Sequence, residues 1–202
     1  LRQIARLQRL LSRLSLDEVV LVGHSLGGML GTLWMHRPDG ERILGLINIE
    51  GNLTPSDATF SRLAAEAYET CDRNFKRWKL WFYGDFLNQQ VLVDPACAAL
   101  RRYHASILFS RPEAFLQNAR EILARTICEE GQESEMTRLY ASANIPTRYC
   151  WGNQSLSQAT RDFLGARNLA ECGFMRSGHW PMIDEPEDFY QAVDAFLNEV
   201  PR

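Results

Sequence analysis

The chain has 202 residues, 46% of them hydrophobic and 23% charged, and a formal net charge of −3. That length allows one domain with a sizeable core, or a core carrying an inserted sub-domain, and so small a charge gives no reason to expect nucleic acid or an anionic membrane surface as partner. No apolar stretch approaches the ~20 residues that span a bilayer, and five cysteines (Cys71, Cys97, Cys128, Cys150 and Cys172), odd in number and never at metal-ligand spacing, are expected as buried, reduced thiols.

The chain opens in a helical pattern. Leu1, Ile4, Leu7, Leu11 and Leu14 share one face, and Arg2, Arg6, Arg9 and Arg13 share another, which reads as a solvated stripe. Neither Met nor a signal peptide stands before this helix; any targeting signal would lie upstream, and the cytoplasm is the expected compartment. Residues 19–22, Val-Val-Leu-Val, are apolar on both faces and rich in β-branched valine, which suits a central parallel strand ending at Gly23. A helix is expected from Leu26 to about Met35, broken by Pro38-Asp39-Gly40. Residues 43–49 read as a second buried strand, followed by Glu50-Gly51-Asn52. Strand, tight turn, helix and strand make one right-handed βαβ unit.

The texture then changes. Residues 54–142 show helical spacing and no convincing strand. Thr54-Pro55-Ser56-Asp57 resembles a capping box with Pro at the first helical position, and Phe60, Leu63, Ala64, Ala67, Tyr68 and Cys71 follow at helical intervals. Asp94-Pro95 and Arg111-Pro112 open two more helices, with Leu100, Tyr103 and Ile107, then Phe115, Ala119 and Ile122, on their apolar faces; a short helix covers about 135–140. Some ninety helical residues are too many for an ordinary crossover, and they are expected to form a helical cap over 52–143. The core, 1–51 and 144–202, resumes with a strand at 147–151, a helix near 157–164, a short strand at 170–175 and a final helix from Pro186, striped by Phe189, Val193, Phe196, Leu197 and Val200. Alternating strands and helices imply an α/β fold whose mostly parallel sheet is covered on both sides.

The segment that carries chemistry is Gly23-His24-Ser25-Leu26-Gly27-Gly28. A G-x-S-x-G turn between strand and helix strains the serine backbone and lifts its hydroxyl above the sheet edge. Its flanking glycines are expected where strand and helix crowd any side chain. The Leu26 N–H, at the helix N-terminus, would then stabilise an oxyanion. A nucleophilic serine needs a base. Of the four histidines, His24 reads as packing, and His36 and His104 as surface or core residues. His179 lies in Ser177-Gly178-His179-Trp180-Pro181-Met182, after the last strand, where a loop reaches back over the sheet's C-terminal edge, the edge along which catalytic groups collect.

On these segments the chain resembles the α/β-hydrolase family. The elbow at 23–28 matches the family's nucleophile turn, and Ser177-Gly178-His179, followed by Pro186-Glu187, its histidine loop. Ile145-Pro146 through Trp151-Gly152 is similar to the strand before its usual acid, and the inserted helices fall where the family places its lid. The resemblance implies Ser25 as nucleophile and His179 as base. It also exposes two departures. Three residues after Gly152, where the family usually has an aspartate, stands Ser155, which cannot stabilise an imidazolium as a carboxylate does. Some relatives place the acid after the preceding strand, which here is Glu50, a carboxylate that burial penalises unless it is paired. Asp184 and Glu185 are expected to serve the N-terminus of the final helix.

Secondly, the family has strands before the nucleophile strand. One of their loops supplies a second oxyanion donor, and without them residues 19–22 form an exposed apolar edge. A further N-terminal segment of the same protein is therefore expected as the partner that completes the sheet.

The resemblance implies a cap-bearing serine hydrolase with no metal or organic cofactor, acting on a small acyl substrate with an apolar part: an ester, or else a thioester, amide or carbon–carbon bond beside a ketone. A non-catalytic ligand sensor of the same fold, and an acyltransferase, are the alternatives. The aromatic residues of 75–83, with Phe86, Phe109 and Phe115, are candidates either to line the substrate pocket or to pack the cap.

Overall fold

The computed structural model describes residues 2–82, 84, 102, 105, 106, 109–129 and 132–201. The expected helix opening at Asp94-Pro95, with Leu100, Tyr103 and Ile107, lies outside the described residues, as do Leu1, Tyr83, Phe86, Cys97 and His104. The chain divides into two compact units, one comprising 1–57 and 126–202, the other 58–125.

The first unit is built on a four-stranded parallel sheet in the order β1-β2-β3-β4, with β1 Val19–His24, β2 Ile43–Ile49, β3 Thr147–Gly152 and β4 Glu171–Phe174. Sequence order equals spatial order because each crossover returns the chain one strand further along the same direction, as right-handed βαβ units do. Helix α1 (Arg2–Arg13) precedes the sheet, and α2 (Leu26–Met35) joins β1 to β2 through a 3-10 turn at Pro38–Arg42. α2 is apolar nearly all round and buried from Gly28 to Met35, as a helix laid against a sheet interior must be.

The strands differ in burial. β2 is almost wholly buried, and Ile47 and Ile49 pack with Cys150, Phe174, Phe189, Phe196 and Val200 in one cluster. β1 occupies the sheet's edge, and Val22 is 50% exposed. The apolar face of α1 is covered only in part: Ile4 is fully buried, whereas Leu7 and Leu10 are exposed.

Residues 52–57 and 126–143, assigned to the cap on sequence, cluster with the sheet unit. Hydrogen bonds across it give the reason. Asp57 accepts from Leu53 N, Thr54 N and Ser157 Oγ, and from the fully buried Thr160 Oγ1 of α7 (Gln158–Ala166) at 2.6 Å. Ser134 Oγ, the N-cap of α6 (Glu135–Ala141), donates to Leu53 O at 2.6 Å. Capping is local, but its partners come from a hundred residues away.

The second unit contains α3 (Thr59–Thr70), α4 (Phe75–Trp81) and most of α5 (Pro112–Thr126). Trp78 is its centre, fully buried, stacked on Phe82 at 5.0 Å and Phe75 at 5.5 Å, with its indole N–H on Ala64 O at 2.9 Å. The aromatic segment thus packs its own unit, while Phe109 is 92% exposed. Of the described cysteines, all free, only Cys150 is buried; Cys71, Cys128 and Cys172 are partly exposed, contrary to the expectation for the whole set. Among the described residues no helix is long and apolar enough to cross a membrane, and no group of His, Cys, Asp and Glu is placed to hold a metal ion.

Candidate active site

Two backbone outliers stand side by side at the C-terminal ends of adjacent strands. Ser25, directly after β1, has φ 53°, and Glu50, directly after β2, has φ 45°. Both lie in the left-handed region that non-glycine residues seldom adopt, at a penalty of order 1 kcal/mol or more each. The sheet holds both. Ser25 N–H donates to Ile49 O at 2.8 Å, Glu50 N–H to Cys150 O at 3.0 Å, and Gly51 N–H to the buried Asn48 Oδ1 at 2.7 Å.

The crowding expected at the elbow is present at one flanking glycine and absent at the other. A Cβ on Gly23 would sit 2.5 Å from Gly27 O, and one on Gly28 would sit 2.2 Å from Asn48 Oδ1, whereas nothing lies within 4 Å at Gly27. The close approach of α2 to the sheet falls at Gly28, one residue beyond the motif. Ser25 Oγ caps no backbone N–H of α2, and Leu26 N–H has no hydrogen-bond partner among the described residues. A helix-terminal donor and a hydroxyl thus remain unengaged at one turn.

Glu50 is 7% exposed, and its carboxylate is fully engaged. Oε2 lies 2.6 Å from His179 Nδ1; Oε1 accepts from Gly152 N at 2.7 Å and from Ser155 Oγ at 2.5 Å. Two of the donors come from β3 and the turn after it, so a buried negative charge is matched by fixed dipoles and an imidazole. Because the carboxylate can only accept, Nδ1 carries the proton that faces it, and the neutral imidazole keeps the lone pair on Nε2. Asp162, the first carboxylate in sequence after Gly152, lies apart from this cluster and accepts from Gln158 on the exposed side of α7.

The histidine loop is fastened from several directions. Gly152 and the loop touch so closely that a Cβ on Gly152 would lie 2.0 Å from Gly178 O, and Gln154 N–H donates to Ser177 O at 3.1 Å. Asp184, in the short helix α8 (Pro181–Asp184), accepts from Gly178 N and Ser177 Oγ. Glu185 accepts from Arg176 N at 2.7 Å and from the Arg176 guanidinium at 3.1 Å. Both carboxylates therefore brace the histidine loop. Glu185 also stands at the N-cap of the final helix, α9 (Pro186–Glu199), as expected, but makes no side-chain capping bond there.

His24, read from sequence as packing, also belongs to this fastening. Its Nε2 lies 2.7 Å from His179 O, and the two rings are 4.6 Å apart. A carbonyl only accepts, so Nε2 is protonated and donates. Burial, and the neighbouring His179, lower the His24 pKa from 6.5 to about 4, so the ring stays neutral near pH 7. Its partner is 155 residues away, and no local pattern announces it. No hydrogen bond joins Ser25 Oγ to His179 Nε2 in this structure, although such contacts commonly tighten only when substrate is bound.

Comparison with known proteins agrees with this architecture. A model described as the alpha/beta hydrolase family matches residues 1–192. No curated protein sequence matches. Among solved structures, a hydrolase from Pseudomonas aeruginosa PA01 superposes with a TM-score of 0.66 at 17% identity, over 96% of this chain and 69% of that one. An epoxide hydrolase from Bacillus megaterium gives 0.62 at 19% identity, over 96% and 74%. A meta-cleavage product hydrolase from Pseudomonas fluorescens IP01 gives 0.60 at 17%, over 94% and 68%. Identities so low establish a shared fold and leave the reaction to the residues of the site.

Proposed function

The chain belongs to the α/β-hydrolase family, and from that premise we propose that it is a serine hydrolase cleaving a carboxylic ester or related acyl bond through an acyl-enzyme. Ser25 Oγ attacks the acyl carbon as His179 Nε2 takes its proton, and His179 then returns that proton to the leaving group. Glu50 holds the Nδ1–H tautomer and stabilises the imidazolium while the charge lasts. Leu26 N–H donates to the oxyanion. Water enters on the other side of the cycle and releases the acid.

The observation that carries this reading is the buried Glu50 carboxylate 2.6 Å from His179 Nδ1, beside a serine held at φ 53°. It also weakens the ligand-sensor alternative, which rested on Ser155 in place of an acid. A serine at the elbow, where alkyl-enzyme chemistry needs a carboxylate, speaks against the epoxide-opening reaction of one structural neighbour. The test is Ser25→Ala in the whole protein. Labelling by a fluorophosphonate disappears and ester turnover falls by ~10³-fold or more. Labelling that persists at another serine overturns the assignment.

We further propose that the edge of β1, which pairs with β2 alone among the described residues, is covered by additional strands of the same protein. Supporting this are the exposure of Val22 in that strand, the exposure of Leu7, Leu10 and Leu16 in the residues before it, and the greater length of the structural neighbours. An unpaired apolar edge invites association. Residues 1–202 alone are accordingly expected to aggregate or to turn over poorly, and a form extended upstream to be monodisperse. A monodisperse, fully active monomer of these residues alone refutes the proposal.

A further inference from the structure

Glu50 has two oxygens, and only one can serve His179. The side chain reaches the imidazole through torsions that, left free, would let either oxygen face Nδ1 or turn the group aside. Its Oε1 is nonetheless occupied twice, by Gly152 N at 2.7 Å and by Ser155 Oγ at 2.5 Å. The first donor is backbone and indifferent to sequence. The second is a side chain chosen by the sequence, on the turn that follows β3, and its hydroxyl has just one proton to give. The other acceptor within its reach, Gly152 O, lies at 3.2 Å. The shorter, charge-assisted bond to the carboxylate is the stronger of the two.

We propose that Ser155 is a positioning residue for the catalytic pair: its hydroxyl pins Glu50 Oε1, so that Oε2 is presented to His179. The proposal rests on Ser25, His179 and Glu50 acting as assigned above. It predicts a kinetic signature as well as a loss. Without that donor Glu50 is free to turn aside, and its hold on the imidazolium weakens. The acidic limb of kcat/KM, which reports the base of the free enzyme, then moves to lower pH.

Other titratable groups around the pair leave that limb readable. His24, from β1, protonates only near pH 4. The Tyr149 phenol of β3, influenced by Glu50 and Asp57, is pushed by burial well above its ordinary range and stays neutral. Asp184 reaches the histidine loop through Gly178 N and Ser177 Oγ.

The experiment compares Ser155→Ala, Ser155→Thr and Ser155→Cys in the whole protein, with Ser25→Ala and Glu50→Gln as controls, by following ester hydrolysis across pH. Ser155→Ala is expected to lower kcat on the order of 10-fold, to change KM little, and to shift the acidic limb downward. Ser155→Thr keeps a hydroxyl and restores both quantities, and the weaker donor of Ser155→Cys falls between them. If Ser155→Ala fails to fold, the Thr and Cys pair alone gives the same ordering of limbs. Wild-type kcat with an unmoved limb overturns the proposal. So does a loss of kcat with an unmoved or upward-shifted limb that Thr does not restore, since that is the mark of a structural role. Should the Ser25→Ala and Glu50→Gln controls remain active, the triad reading itself falls. If both are inactive while Ser155→Ala behaves as wild type, only the inference about Ser155 is lost.

Discussion

The ends of the strands and the helical second unit are held together by different physics. At the ends of β1, β2 and β3, polar side chains meet backbone donors and acceptors at fixed distances: Glu50 with Gly152 and His179, His24 with His179 O, Asn48 with Gly51. In residues 58–125 the order comes from aromatic packing about Trp78, with one hydrogen bond from its indole to Ala64 O. Hydrogen bonds are directional and die within half an ångström or so. Apolar packing is nondirectional and tolerates exchange of shapes at a fraction of its total. The first region should therefore lose function abruptly on small changes, and the second should lose stability gradually with volume.

The largest expected effect tests the first half of that contrast. Glu50→Gln removes a charge and almost no volume, so the fold should survive while kcat falls on the order of 10²- to 10⁴-fold. Circular dichroism and turnover on the same sample decide it. A variant with more than a tenth of wild-type kcat places the imidazolium-stabilising charge elsewhere. The next effect tests the second half. Trp78→Ala empties the centre of residues 58–125 and leaves Ala64 O without its donor, for a loss of roughly 3–5 kcal/mol, whereas Trp78→Phe should recover most of the packing. Denaturant unfolding reads the difference. Equal losses for Ala and Phe mean that the indole hydrogen bond, rather than packed volume, holds the unit.

A smaller but sharper test concerns close approach. Gly152→Ala puts a Cβ 2.0 Å from Gly178 O, backbone against backbone, so the histidine loop or β3 has to shift. Because Gly152 N also holds Glu50, activity should fall by about 10²-fold, in line with an angstrom-scale misplacement of a reacting group. At Gly27, where nothing crowds the added carbon, the same change should leave the loop in place. Similar losses at Gly27 and Gly152 would mean that steric contact with the loop is not the cause.

The contrast also explains what was legible in the sequence. Ser25 and His179 stood out because a strained turn and a post-strand loop need glycines and polar residues at fixed offsets, and such demands leave marks at short range. Glu50 was legible by a different route: a carboxylate ending a buried strand demands a partner, and the place normally given to an acid held Ser155. The role of Ser155 itself was not legible. Neither was that of His24, nor the bracing of the histidine loop by Asp184 and Glu185. Each depends on a contact made through the fold, and from sequence the two carboxylates looked like ordinary charges at a helix start. The short helix α8 leaves no mark in the sequence, because Pro181-Met182-Ile183-Asp184 has too few residues for periodicity to register. In the second unit helical spacing was readable, but which aromatic side chains face inward was not. Spacing alone does not distinguish the buried Trp78 from Leu80, which is 70% exposed two residues later.

The smallest expected effect joins stability to the site through His24. Its pKa is about 4 in the folded protein against 6.5 for an ordinary histidine. The unfolded chain therefore binds this proton first as the pH falls. The folded state's advantage is complete above about pH 6.5, declines as the pH drops and is lost below about pH 4. A difference of this size corresponds to roughly 3 kcal/mol across the whole window. His24→Gln retains a side-chain N–H that can reach His179 O but has nothing to titrate. Its stability should accordingly fall less between pH 7 and pH 4 than that of the wild type, by up to about that amount, while kcat at pH 7 stays within a few-fold. His24→Leu also cannot titrate, yet it removes the donor to His179 O and should lower kcat further. Unfolding free energies of the three proteins at both pH values separate the proton from the hydrogen bond. If Gln and wild type lose stability in parallel, the acid sensitivity arises from the carboxylates, and His24 contributes only through its bond to the histidine loop.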